Sequence, residues 1–145
     1  KGYESRHNLN YWNWGEYLGF GAGAHSFIKT GETDNLFGIR WWNIKSPSLY
    51  TKSGEKGRVS GYEYIDREKA LEELVMLGLR KQEGLDLQQL QRFIKLDMGR
   101  FYSTLIPFIS GGFVTVRENF LKLQPRGMTV SNAIITEIVR ILSRH

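Results

Sequence analysis

The 145-residue chain contains no cysteine. Disulfides, cysteine-ligated zinc and a thiol nucleophile are therefore excluded, and so is an iron-sulfur cluster held by thiolates from this chain. No run approaches the roughly 18 consecutive apolar residues that a membrane span needs, and there is no signal-peptide pattern, so a cytoplasmic location is the default expectation. A peripheral membrane contact stays open. Also absent are H-E-x-x-H, a P-loop and a Ser-His-Asp set at a recognisable elbow. A hydrolase or nucleotide-triphosphate enzyme has nothing to run on, and no catalytic residue is assigned.

Net charge is +5, which invites an anionic partner. Its distribution argues against nucleic acid, because residues 1–65 carry 8 basic and 6 acidic side chains, residues 66–145 carry 12 and 9, and no cluster of four or more Lys/Arg occurs. Paired carboxylates such as Glu72 and Glu73 are expected on a solvated helix face.

Three zones follow one another. Residues 1–46 are rich in Gly, Trp and Tyr; residues 47–65, punctuated by Pro47, Gly54, Gly57 and Gly61, read as a loop or linker; residues 66–145 turn helical. In the first zone Glu16 to Ile28 reads as a buried strand with Gly19, Gly21 and Gly23 on alternate positions, leaving one face open to a ligand or another backbone. The G-x-G-x-G spacing is not the dinucleotide fingerprint. In the third zone Asp66 is expected to cap a helix carrying Ala70, Leu71, Leu74 and Leu77, ended by Gly84. Asp86 with Gln89 resembles a capping box for a short helix with Leu87, Leu90, Phe93 and Ile94 inward. Asp97 opens a third helix over Phe101, Tyr102, Leu105 and Ile106, ended between Pro107 and Gly111. Val114 and Val116, then Leu121 and Leu123, alternate as a hairpin about Glu118-Asn119. Pro125-Arg126-Gly127 reads as a turn. Ser131 or Thr129 can cap a last helix with the stripe Ile134, Ile138, Ile141 and Leu142. The expected class is α+β, three helices and a hairpin in a winged-helix-like order. Such a domain can present Lys95, Arg100, Tyr102, Ser103, Thr104, Arg117 and Lys122 to phosphates, but that set is sparse for base readout, and covering a pocket or a partner is the preferred role.

Two adjacent words carry more. His7-Asn8-Leu9-Asn10-Tyr11-Trp12 is followed by Tyr17-Leu18-Gly19-Phe20-Gly21-Ala22-Gly23-Ala24-His25-Ser26. Together with Arg40-Trp41-Trp42-Asn43, Leu77-Gly78-Leu79-Arg80, Glu83-Gly84-Leu85 and Leu123-Gln124-Pro125-Arg126-Gly127, they resemble the C-terminal third of the HemN/HemW family of radical S-adenosylmethionine (SAM) proteins, in its heme-chaperone branch. The resemblance implies that residues 1–46 are the last strand or strands of a truncated radical-SAM barrel, 47–65 a linker, and 66–145 the family's C-terminal winged-helix-like domain. It implies a 4Fe-4S cluster and SAM in an intact parent, and heme as cargo for recipient hemoproteins. The chain, which starts within a motif at Lys1, is then a piece of a larger protein without activity of its own. An oxygen-independent coproporphyrinogen III oxidase is the alternative parent, and the HNxxYW word speaks against it.

By the same resemblance His7 is the heme-iron ligand, with Tyr11 and Trp12 packing the porphyrin, a role suited to an imidazole beside flat aromatic surfaces. Ala24 matches a backbone contact to SAM. His25 is expected to be structural, and His145 is given no role. The dense group Tyr3, Tyr11, Trp12, Trp14, Tyr17, Trp41 and Trp42 predicts exposed aromatic surface and self-association.

Overall fold

A computed structural model of the chain describes residues 15–33, 36–54 and 57–143. It divides into two compact units, residues 1–70 and 71–145. The first is built on a three-stranded antiparallel sheet of β1 (His25–Thr33), β2 (Leu36–Asn43) and β3 (Val59–Asp66), in that order. β2 is rich in β-branched and aromatic residues, which fit a pleated surface paired on both sides. The stretch 47–65, read above as a loop, holds a short helix α1 (Pro47–Lys52) and nearly all of β3. Its glycines mislead because Gly61 sits inside the strand: a Cβ there would lie 2.6 Å from the Trp42 ring.

The strand expected over Glu16–Ile28 is not continuous. Only Tyr17 bridges to Phe27, with mutual amide–carbonyl bonds of 3.0 and 2.8 Å. Between them the chain turns back through Gly21 at φ 105° and Gly23 at φ 69°. Alternate glycines can serve an open strand face or a left-handed turn equally well, and periodicity does not separate the two.

The caps fall where the carboxylates predicted them, one at the end of the first unit and two in the second. The Asp66 carboxylate, at the end of β3, accepts from the Lys69 amide at the start of α2 (Arg67–Arg80). Asp86 accepts from the Gln88 and Gln89 amides to open α3 (Leu87–Phe93), and Asp97 from the Arg100 amide to open α4 (Met98–Ser110). A two-residue strand β4 (Leu85–Asp86) pairs with β6 (Phe120–Leu123), which pairs with β5 (Val114–Arg117). The hairpin turns at Glu118, whose φ is 54°. The short helix α5 (Pro125–Met128) and the longer α6 (Ser131–Leu142) complete the unit. Leu74, Val75, Leu85, Leu90, Phe101, Leu105, Leu121 and Ile138 form its core.

α4 ends within the expected range, at Ser110 with Gly111 as its C-cap; Pro107 inside it forfeits one bond near the helix end, and burial of Phe101 and Leu105 on the same helix outweighs it. Ile106 on the same helix is 58% exposed. Two local expectations are corrected. Pro125-Arg126-Gly127 lies in a helical turn, since proline's fixed φ suits the first helical position. Neither Ser131 nor Thr129 caps α6: the capping position is Val130, with no side-chain bond. Among the described residues no helix is long and apolar enough to cross a membrane.

Candidate functional site

The first unit carries a cleft of about 610 Å³ on one face of its sheet. Its floor follows from register. His25, Trp42 and Gly61 make one cross-strand row, and Phe27, Arg40 and Glu63 make the next row on the same face, since residues two apart on a strand share a face. The bare backbone of Gly61 lets the Trp42 indole lie down against it. The imidazole of His25 faces that indole, ring centroids 6.0 Å apart. In the neighbouring row Phe27 is buried, with Tyr17 on one side at 6.2 Å and the Arg40 guanidinium 5.6 Å from its centroid. Tyr17, Gly19 and Phe20 close the cleft from the returning segment.

Charge is concentrated at one end. Arg40 Nη1 donates to Glu63 Oε1 at 2.8 Å, and Lys69 Nζ donates to Glu63 Oε2. The Lys69 hydrogen bond, reinforced by the charges of Lys69 and Arg40, holds the Glu63 carboxyl below the usual glutamate range, against a smaller opposing effect of burial. One carboxylate shared by two cations leaves the triad with a net positive charge, beside an aromatic floor. Such a cleft suits a flat, electron-rich ligand with an anionic edge.

Asn43 positions the rim. Although polar, it is only 7% exposed. Its amide nitrogen donates to the Ala24 carbonyl at 2.9 Å and its side-chain Nδ2 donates to the Gly21 carbonyl, also at 2.9 Å. Gly23 N donates to the Ile44 carbonyl at 2.8 Å, Gly21 N to the Tyr50 hydroxyl of α1 at 3.3 Å, and Gly19 N to the buried Ser26 hydroxyl at 2.9 Å. The glycine turn is thus fastened to the end of β2 and to α1. Asn43 was visible in the sequence only as part of a quoted word; an Asn after two Trp gives no sign that its side chain will turn inward.

Of the residues singled out by sequence, Tyr17, Gly19, Ala24, His25 and Trp42 line this cleft. His7, Tyr11 and Trp12 lie outside the described residues. Ala24 N donates to the Gly21 carbonyl at 3.3 Å, so both backbone groups of Ala24 already have partners; its carbonyl retains a second lone pair. Among the described residues no group of three or more His, Asp or Glu side chains could hold a metal ion. A thiolate-held iron-sulfur cluster does not fit a chain without cysteine.

Residues 65–130 match the HemN C-terminal domain. The heme chaperone HemW of Mycobacterium tuberculosis is 40% identical over 91 residues, 61% of this chain and 21% of that protein. HemW of Bacillus subtilis is 30% identical over 134 residues, 92% of this chain and 34% of that protein. Among solved structures, that titled "Coproporphyrinogen III oxidase (HemN) from Escherichia coli is a Radical SAM enzyme" matches with a TM-score of 0.50 at 16% identity, over 87% of this chain and 28% of that one, a likeness of fold. The chain spans between about a fifth and a third of the length of these relatives. Similarity to heme chaperones at 30–40% identity and a domain match that begins at the end of β3 agree in one assignment: this chain belongs to the HemN/HemW family as a HemW-like C-terminal region.

Proposed function

We propose that this chain is the heme-handling C-terminal part of a HemW-like chaperone, in which heme is bound and passed to recipient hemoproteins. The observation that carries the reading is the similarity to a heme chaperone over 92% of the chain, a share that takes in most of the sheet unit as well as the C-terminal domain. In this reading the His7 imidazole is an axial ligand to the iron of the cargo, and Tyr11 and Trp12 lie against the macrocycle. The cleft of the first unit, with Trp42 and Tyr17 as flat walls and Arg40 at one end, offers the chemistry that a planar ligand with an acidic edge needs.

SAM and the iron-sulfur cluster belong to the parent protein. When bound there, SAM would meet this chain at Ala24, through the remaining carbonyl lone pair and the methyl group. The cluster would be held by other parts of the parent. The C-terminal domain, which we place in the winged-helix-like class, serves to cover the site and to meet the recipient.

The test is a titration of the 145-residue chain with ferric heme, followed in the Soret band, for the wild type and for His7→Ala. Saturable binding near one heme per chain, lost in the variant, is expected. Binding indifferent to the substitution would overturn the role of His7, and no binding at all would overturn heme handling by this chain.

A further inference from the structure

We propose that Glu63 is an internal competitor in the cleft of the first unit: its carboxylate holds Arg40 until the acidic edge of a ligand takes its place, and then rests on Lys69 alone. Among the described residues that line the cleft, Arg40 is the one permanent cation and Glu63 the one acid. The two are joined, Arg40 Nη1 to Glu63 Oε1 at 2.8 Å, with side chains 19% and 29% exposed. An anion entering the cleft therefore finds its cation already occupied, by a bond that solvent and ligand can both reach.

The second carboxylate oxygen lowers the cost of the exchange. Glu63 Oε2 accepts from Lys69 Nζ at the start of α2, so when Oε1 gives up Arg40 the carboxylate keeps a charged partner and is not left bare. Arg40 in turn lies against the Phe27 ring, 5.6 Å from its centroid, and this contact keeps the guanidinium at the cleft while its partner changes. One charge-assisted bond breaks, from Arg40 Nη1 to Glu63 Oε1. One of the same kind forms to the ligand carboxylate, and no proton moves. The fold has other fastenings here, since β2 and β3 are paired along their backbones and α2 is opened by the Asp66 carboxylate. An acid set on the cleft's permanent cation thus weakens the grip on a ligand without being needed to close the sheet. A weakened grip suits a chain that hands its ligand on.

The identity of the ligand as a tetrapyrrole with propionates on one edge rests on the chaperone reading. The test titrates the 15N-labelled 145-residue chain with metal-free deuteroporphyrin IX, which has no iron for an axial ligand. Affinities are read from the amide shifts of residues 25–27, 40–42 and 61–63, so binding elsewhere on the chain does not enter them. Wild type is compared with Glu63→Gln, Arg40→Gln and the double variant Arg40→Gln/Glu63→Gln. Glu63→Gln should bind about fivefold more tightly than wild type, a modest gain because the competing pair is partly solvated. Arg40→Gln should bind more weakly, and in that background Glu63→Gln should bring no gain, because the two residues act on one bond. Retained amide dispersion checks that each variant folds, and if the Arg40 variants do not, Glu63→Gln against wild type decides alone. Unchanged or weaker binding by Glu63→Gln would overturn the competitor, since a merely structural carboxylate gives that result. An equal gain in both backgrounds would overturn it too, because it would show a diffuse effect of charge and no exchange at Arg40. The two proposals fail separately. Ferric heme lost in His7→Ala, with no porphyrin shifts at these amides, removes only the competitor; tighter porphyrin binding by Glu63→Gln, without ferric-heme binding through His7, removes only the role of His7.

Discussion

Asn43 and Gly61 do different work on the same strand pair. The Asn43 side chain shares the half-buried Gly21 carbonyl with the Ala24 amide and makes the shorter of its two bonds, so truncation removes one donor and leaves the other. Asn43→Ala is expected to cost about 0.5–1.5 kcal/mol, read in chemical denaturation. Gly61→Ala drives a methyl group into the Trp42 ring, and the ring must leave the cleft floor. A cost of about 1–3 kcal/mol from overpacking is expected, with a shift in tryptophan emission that Asn43→Ala need not produce. Neither role was legible beforehand. The sequence offered Asn43 and Gly61 as a motif letter and a loop marker, because what decides both is the cross-strand neighbour, and register is set by tertiary pairing.

Among the elements, the helices of the C-terminal unit were the most readable, for a physical reason: a capping carboxylate acts within three residues, so Asp66, Asp86 and Asp97 announce their helices locally. Most of the stripe of α6 was legible as well, with Ile134, Ile138 and Leu142 buried and Ile141 half-buried. α4 shows where local reading stops. Phe101 and Leu105 are fully buried while Ile106 is exposed. A sharp contrast follows: Phe101→Ala should destabilise by roughly 3–5 kcal/mol, whereas Ile106→Ala should stay within about 0.5 kcal/mol, both from denaturant midpoints. A large effect at Ile106 would mean that this exposed side has an apolar partner in solution. The first sheet was the least readable part. Most of β3 lies in a stretch that its Pro and Gly residues assign to a loop, and only its pairing with β2 makes sense of Gly61 opposite Trp42.

For the molecule as a whole, pH should act on stability through Glu63. Its folded-state carboxyl is held below the usual glutamate range, so its contribution is complete above the unfolded value of about 4.3 and is lost as pH falls through the lower folded value. The triad is partly solvated, and roughly 0.5–1 kcal/mol is expected from it. Denaturation of Glu63→Gln and wild type, compared from pH 7 downward, should show a gap that narrows as pH falls below the unfolded value; a gap that widens on acidification would sink the assignment. Family membership was legible from short words spread along the chain, while the cleft that those words surround was not, because its walls come from residues 17–63 folded onto one sheet face. The fastened glycine turn has a consequence in time. Turns with left-handed glycines ordinarily open on their own, far faster than the sheets beside them. Here Gly23 N and Asn43 N are bonded across the turn to Ile44 and Ala24, so their amide hydrogens should exchange with solvent only when the end of β2 itself opens. Any ligand that met this turn would find a surface already arrested, and little of its binding energy would be spent on stilling the loop.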